Sequence, residues 1–303
     1  MPIASIVSID TSAARAHPGV LAVLTGDDYV ADGHLGMAHF PNPADAIDVS
    51  IPTFAPMAER KILDELQLPL ATGRVRYVGE AVAIVVAESL VAARDAAEKV
   101  VVEYEILPGG QRCCGSAVTR GADDLAGCTQ QSCARQRVRR SAPPSRPRSR
   151  APTSSSSRPS ATSAPPSAFM EPRSAIGRYD EAEGQYILIS GCQGVHRVRH
   201  PLAGCLKVPQ ERVRVICPDV GGGFGSRTNL YPEQVAVVWA ARRVGRAVKW
   251  TGDRHEAFLT DYTARDVVTQ RAARLRPQGP HAARARPELT ANIGAHTRLH
   301  MFR

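Results

Sequence analysis

The sequence predicts an α+β protein with two compact mixed regions and, between them, a stretch that builds no core. Three observations predict it. Strand-like alternation and helix-like spacing occur together in residues 1–107. They occur together again from residue 170 onward. Between the two, composition changes: from Arg135 to Pro166 Arg, Ser and Pro dominate, and Val138 is the one large aliphatic residue. The 303 residues allow about two domains, and a chain of this length can bury about three quarters of its unfolded surface.

The first region reads in order as follows. Ile3–Ile9 alternates like a strand, and Asp10 is placed to cap a short helix through Ala16, ended by Pro18-Gly19. Val20–Leu24 is the next strand, closed by Gly26-Asp27. Residues 33–56, rich in Pro, Gly and Asn, read as loop. Val75–Tyr77 and Ala81–Ala87 are strand-like, with Gly79 at the kink between them. Ser89 caps a helix over Leu90–Lys99, and Val100–Ile106 alternates as a strand with Glu103 and Glu105 outward. Strand, helix and strand so close together predict an α/β unit.

Residues 108–169 cannot offset their ordering entropy by burial and are expected to be disordered or irregular. Order resumes at Met170. Tyr186–Ser190 is a strand, Gly194–Lys207 a helix and its exit, and Arg212–Cys217 a strand alternating through Val213, Val215 and Cys217. A helix follows over Leu230–Val244, with Pro232 in its first turn and Gly245 at its C-cap. Val248–Thr251 is a further strand. There is no internal repeat.

Charge and cysteine narrow the function classes. The net charge is +9, but eight arginines and no acid lie between Arg135 and Pro166, and without them the balance is +1. Five more arginines lie between Arg271 and Arg286, and without those the balance is −4. The globular parts are therefore not basic, and nucleic acid is not an expected partner. No apolar run approaches the ~20 residues of a membrane span, and the N-terminus carries no secretory pattern, so a cytoplasmic protein is expected. Seven cysteines include no CxxC pair and no zinc or iron–sulfur spacing, so they read as reduced thiols. No metal ligands and no catalytic residues are assigned within this chain. His196 and His200 stand at i, i+4 without a third ligand, Glu80 and Glu233 read as structural, and Asp253, Arg254 and Asp261 read as a solvated loop.

The most informative feature is Gly221-Gly222-Gly223-Phe224-Gly225, delivered by a strand and followed by a helix. Consecutive glycines let backbone amides approach a bulky anionic ligand, with Phe224 as one apolar surface beside them. A tight turn that only lets two elements pack is the other reading. A Walker loop is excluded by Ser226-Arg227-Thr228, and a dinucleotide fingerprint by Ser226.

The stretch Cys217-Pro-Asp-Val-Gly-Gly-Gly-Phe-Gly-Ser-Arg-Thr-Asn-Leu-Tyr-Pro-Glu233 resembles the molybdopterin-loop signature of the xanthine dehydrogenase/aldehyde oxidase family. It is most similar to bacterial large subunits of the carbon monoxide dehydrogenase type. Gly73-Arg-Val-Arg-Tyr-Val-Gly-Glu-Ala-Val-Ala-Ile-Val-Val-Ala87 resembles the family's N-terminal a/b hammerhead domain. Met170-Glu-Pro-Arg173 resembles the start of its molybdenum-cofactor domain, and Gly191-Cys-Gln-Gly-Val-His196 the segment with its cofactor glutamine. The resemblance implies a hammerhead domain over 1–107, a linker over 108–169 and the N-terminal part of a molybdopterin-binding domain over 170–303, irregular at 271–287. It implies that Gln193 hydrogen-bonds a molybdenum oxo ligand and that Gly222, Gly223, Phe224 and Gly225 contact the cofactor. It further implies a molybdenum–molybdopterin cofactor in its cytosine dinucleotide form. The iron–sulfur small subunit would carry 2Fe–2S clusters, and the medium subunit FAD. The reaction implied is oxidative hydroxylation of a small-molecule aldehyde or N-heterocycle.

The departures are specific. The family's catalytic glutamate lies near the C-terminus of a chain over twice this length, beyond Arg303. Thr228 stands where xanthine-oxidising members place a substrate glutamate, which disfavours purines. The cysteine-containing active-site loop of true carbon monoxide dehydrogenases is not visible. The two biased stretches match out-of-frame translation of a GC-rich gene, with a genuine inserted linker as the alternative. Beyond the second of them, Glu288-Leu-Thr-Ala-Asn-Ile-Gly-Ala-His-Thr297 resembles the family again. Two further functional readings stay open: an inactive fragment that keeps only the hammerhead fold, and a basic nucleic-acid-interacting protein.

Overall fold

The computed structural model describes residues 3–37, 66–107, 133–137, 154–162, 166–262, 266–275 and 282–292. Residues 38–56 of the expected loop, Cys113, Cys114, Cys128, the arginines from Arg139 to Arg150 and residues 293–297 lie outside the described residues. The chain divides into two units, Met1–Gly110 with Pro166–Tyr262, and Gln111–Pro165 with Thr263–Arg303.

The first unit opens with β1 (Ile3–Asp10), α1 (Ser12–Arg15), β2 (Val20–Thr25), α2 (Gly26–Ala31), β3 (Arg74–Val75), β4 (Ala83–Ala87), α3 (Leu90–Ala97) and β5 (Val101–Leu107). The helix cap expected at Asp10 falls one residue later, at Thr11. Asp10 Oδ1 instead accepts from Ser12 N at 2.9 Å and Ser12 Oγ at 2.6 Å, a local turn that competes with capping. Gly26-Asp27, expected as a turn, begins α2. Thr25 and Asp28 form a reciprocal capping box there, which Thr25 N→Asp28 Oδ2 closes at 2.8 Å. Ser89 caps α3 as expected, accepting from Ala92 N at 3.1 Å.

The expected α/β unit does not form. β4 pairs antiparallel with β2, and β5 pairs antiparallel with β1 in the order β3-β1-β5. Local spacing marks strands but carries no information about their partners, and both strands find antiparallel mates from earlier in the chain. The protein is nonetheless α+β, as the sequence predicts.

The unit continues with β8 (Ser174–Asp180), β9 (Gln185–Ser190), α4 (Val195–Leu206), β10 (Val213–Ile216), α5 (Pro232–Val244), β11 (Val248–Thr251) and α6 (Arg254–Thr260). The strands order as β10-β9-β8-β11. Only β9 and β10 are parallel in this sheet, registered from Val213↔Tyr186 to Ile216↔Ile189. α5 is buried from Gln234 through Ala241 and lies on β8. Gly177 makes that approach possible, because a Cβ there would collide with the Val237 carbonyl. Gly245 ends α5 in the left-handed region, at φ 64°.

One core joins the early and late parts of this unit. Leu24, Tyr29, Met37, Leu70 and Val86 belong to the same buried cluster as Leu188, Val237 and Trp239. Trp239 Nε1 donates to Asp32 Oδ2 at 2.7 Å, and the Tyr29 ring meets Trp239 edge-on at 5.1 Å. No helix among the described residues is long and apolar enough to cross a membrane.

The second unit is a four-stranded antiparallel sheet, β6 (Cys133–Arg137), β7 (Ser154–Thr162), β12 (Asp266–Leu275) and β13 (Ala282–Asn292), ordered β6-β13-β12-β7. It corrects the expectation that 108–169 is unstructured throughout and that 271–287 is irregular. The composition argument counted side-chain burial, whereas a ladder is made by main-chain groups that Ser and Arg supply as well as Val does. Pro159 cannot donate to a ladder, and it sits in β7 at the sheet edge.

Candidate functional site

Because β9 and β10 run parallel, the tails after them leave at the same end of the sheet. The β9 tail carries Gly191–Gly194 and the β10 tail carries Cys217–Gly225. Carboxyl ends of neighbouring parallel strands are a common position for a ligand, since both tails offer free main chain there. The structure thus brings Gln193 to the glycine run although 28 residues separate it from Gly221.

Gln193 Oε1 accepts from Gly225 N at 2.9 Å, and Gln193 N donates to the Arg227 carbonyl at 2.9 Å. With its oxygen engaged, the exposed Gln193 amide keeps its NH₂ group as the free donor. A Cβ on Gly223 would lie 2.6 Å from Gln193 Oε1, so that glycine makes room for the amide. Gly222 at φ 103°, Phe224 at φ 47° and Gly225 at φ 93° hold left-handed conformations. Phe224 is the non-glycine among these three, and a side chain held there is a strained position. Its ring is 79% exposed. Ser226 N and Ser226 Oγ both donate to Gly223 O, at 2.9 and 2.8 Å. Among the described residues, the N–H groups of Gly222, Gly223 and Phe224 donate to no protein acceptor. Successive main-chain N–H groups without a protein acceptor are donors suited to electron-rich groups.

An ion pair that motif reading did not assign fastens this loop. Glu171 Oε2 accepts from Gly221 N at 2.7 Å and from Arg227 Nη1 at 2.5 Å. Arg227 Nη2 donates to the Glu171 carbonyl at 2.8 Å, and its guanidinium lies 4.2 Å over the Phe169 ring. Arg227 is 3% exposed, so this buried charge needs its partner. Arg227 and Glu171 are 56 residues apart, and no local pattern announces their pairing.

A second buried cluster stands behind the first. Arg173 Nε meets Glu233 Oε1 at 2.6 Å, Arg173 Nη1 lies 3.8 Å from Asp261 Oδ2, and Tyr231 Oη donates to Asp261 Oδ1 at 2.7 Å. Burial first, and the Asp261 charge next, push the Tyr231 phenol up, so it stays a donor. A polar void of about 10 Å³, the room of a single water, separates Arg173 from Arg227 and reaches Ser190, Gly191 and Gln234.

The remaining candidates resolve differently. Glu80 and Glu233 are structural: Glu80 Oε2 accepts from Arg76 N at 2.5 Å, and Glu233 pairs with Arg173. Asp253, Arg254 and Asp261 are not a solvated loop. Asp253 caps α6 through Glu256 N at 2.7 Å, Arg254 donates to Phe169 O at 2.6 Å, and Asp261 is buried. α6, at 7 residues, is too short to show a helical period in the sequence. His196 is exposed and His200 contacts Gln210 at 2.9 Å; among the described residues no group of three potential ligands could hold a metal.

Comparison with known proteins adds the following. Residues 156–301 match the family model of the molybdopterin cofactor-binding domain, and residues 44–108 match that of the aldehyde oxidase and xanthine dehydrogenase a/b hammerhead domain. The first match runs through both 156–169 and 271–287, which composition alone sets apart. The gamma subunit of the 6-hydroxypseudooxynicotine dehydrogenase complex of Paenarthrobacter nicotinovorans is 30% identical over 97% of this chain and 35% of its own length. The carbon monoxide dehydrogenase large chain of Afipia carboxidovorans is 29% identical over 89% of this chain and 32% of its own. The crystal structure of quinoline 2-oxidoreductase from Pseudomonas putida 86 superposes with a TM-score of 0.70 and 30% identity, over 89% of this chain and 32% of that one. The chain spans about a third of the length of the curated relatives it matches.

Proposed function

The chain belongs to the xanthine dehydrogenase/aldehyde oxidase family of molybdopterin-binding large subunits, and we propose that the β9 and β10 tails seat its molybdenum–molybdopterin cofactor. The observation that carries this reading is that the N–H groups of Gly222, Gly223 and Phe224 have no protein acceptor among the described residues and lie in the loop that holds the Gln193 amide by its oxygen. These residues fit such a group: it is rich in acceptors and negative charge, and they offer neutral donors, the exposed Phe224 ring and glycines without Cβ atoms. The bound group supplies the redox and oxygen-transfer chemistry that side chains lack.

The chain's own part is to bind and orient. Gln193 presents a neutral donor, which stabilises an oxo group without adding charge beside the metal. Gly225 N, by holding Gln193 Oε1, sets which way that amide faces. Phe224 would offer its exposed ring to the bound group, and Glu171 with Arg227 fastens the loop. Thr228 turns its hydroxyl onto Gly225 O at 2.5 Å and brings no charge toward a purine. The substrate class we infer is therefore a neutral aldehyde or N-heterocycle, oxidised with water as the oxygen source. Electrons would pass to 2Fe–2S and FAD on separate small and medium subunits of a cytoplasmic complex, and the pterin would be the cytosine dinucleotide form.

The test is molybdenum and pterin analysis of the chain purified from cells that make and insert the cofactor. Close to one molybdenum and one pterin per chain is the expected result. A folded chain that retains neither contradicts the reading.

A further inference from the structure

We propose that Cys192 and Cys217 form a redox-active dithiol that closes to an intramolecular disulfide between the tails of β9 and β10. The topology brings them together. Cys192 lies two residues past the end of β9 and Cys217 one residue past the end of β10, on neighbouring parallel strands. The Cys217 sulfur sits on the main chain of Cys192: Cys217 Sγ accepts from Cys192 N at 3.3 Å and donates to Cys192 O at 3.3 Å. Its remaining polar neighbour is Pro218 O at 3.4 Å. These contacts place the Cys217 sulfur against Cys192, the proximity from which a disulfide can close.

Both thiols are free, and their exposures differ in the useful direction. Cys217 is half-buried and open to a small oxidant, whereas Cys192 is 6% exposed beneath it. Burial pushes the Cys192 thiol up, and the adjoining Cys217 thiol adds to that shift, so Cys192 waits as the protonated resolving thiol. Cys205 is the internal control. It faces the core from α4 at 1% exposure, and burial pushes its thiol up to about 12.

The chemistry balances with a peroxide as oxidant. Hydrogen peroxide converts the Cys217 thiol to a sulfenic acid and leaves as one water. The Cys192 sulfur then attacks the Cys217 sulfur; the S–S bond forms, the S–O bond breaks, and the departing hydroxide takes the Cys192 proton as a second water. Two thiols are oxidised and one peroxide is reduced. A dithiol reductant reverses the step.

The consequence for the seat rests on the function proposed above. Cys192 precedes Gln193 directly, and Cys217 leads into Gly221–Gly225. A covalent link here fixes the spacing of the two tails that carry every proposed cofactor contact.

The experiment uses the full chain without cofactor, so that it succeeds or fails independently of molybdenum binding. Protein treated with hydrogen peroxide is alkylated, digested and mapped by mass spectrometry at all seven cysteines. The expected product is a linked peptide pair holding Cys192 and Cys217, lighter by two hydrogens and abolished by dithiothreitol. Cys205 should stay reduced until the chain is denatured. The Cys217→Ser variant, checked for native circular dichroism, should leave Cys192 as a free thiol under the same treatment. Cys217 recovered as sulfinic acid, or joined to any other cysteine while Cys192 remains a thiol, overturns the proposal. So does a Cys217 that stays a thiol while other cysteines oxidise.

Discussion

Helices α3 and α5 belong to the same unit and meet opposite surroundings. In α5 the run from Gln234 to Ala241 is buried on every side, whereas in α3 only Ala96 is buried and Leu90 and Val91 are 64% and 68% exposed. The difference teaches where the fold's stability resides. The helix after the glycine loop is wedged between β8 and the early core, and the loop itself is fastened by the Glu171–Arg227 ion pair. A rigid scaffold thus carries a seat made of main chain.

The strongest way to break this contrast is to truncate each helix in turn. Trp239→Ala removes the edge contact with Tyr29 and the bond to Asp32, and should cost about 3–5 kcal/mol of unfolding free energy. Val91→Ala on α3 should stay within about 0.5 kcal/mol in the same urea titration. Equal losses would remove the distinction. Arg173→Met comes next. It strips Glu233 and Asp261 of their buried cation and should destabilise by about 3 kcal/mol, read as a fall in melting temperature.

Gly223→Ala sharpens the comparison from the loop side. Its Cβ would press on the flexible end of Gln193 at 2.6 Å, so the fold should lose about 1 kcal/mol or less while the Gln193 amide is displaced. Amide hydrogen exchange over residues 217–228 should rise locally, with the exchange of α5 unchanged. The smallest effect concerns His34, which sits 5.1 Å from the Tyr29 ring. Burial holds its imidazole below the usual range, outweighing the opposing pull of Asp32. Its contribution to stability is therefore complete above the unfolded imidazole value, about 6.5, and is lost as pH falls through the lower folded value. Melting temperature should drop slightly on acidification from about pH 7.5 to about 5.5, and His34→Gln should flatten that slope.

Much of this was legible in the chain because the signals are local. α5 announces itself through Pro232 at its start and Gly245 at its end, and β9 and β10 through their alternation. The glycine run and Gln193 were legible as motif residues, though what brings them together is the parallel pairing of β9 with β10, which spacing cannot specify. What the sequence hid is long-range or main-chain in origin. The Glu171–Arg227 clamp spans 56 residues, the partners of β4 and β5 lie far upstream, and the sheet of β6, β7, β12 and β13 uses backbone groups to which composition is blind.

The most direct measurement is cofactor retention in Gln193→Ala beside the parent chain, both purified from cells that insert molybdenum and matched for circular dichroism. The account predicts that the parent keeps molybdenum and pterin near one per chain and that the variant loses most of both at unchanged melting temperature. Equal retention in the two proteins would contradict it, because the amide held by Gly225 would then have no part in the seat.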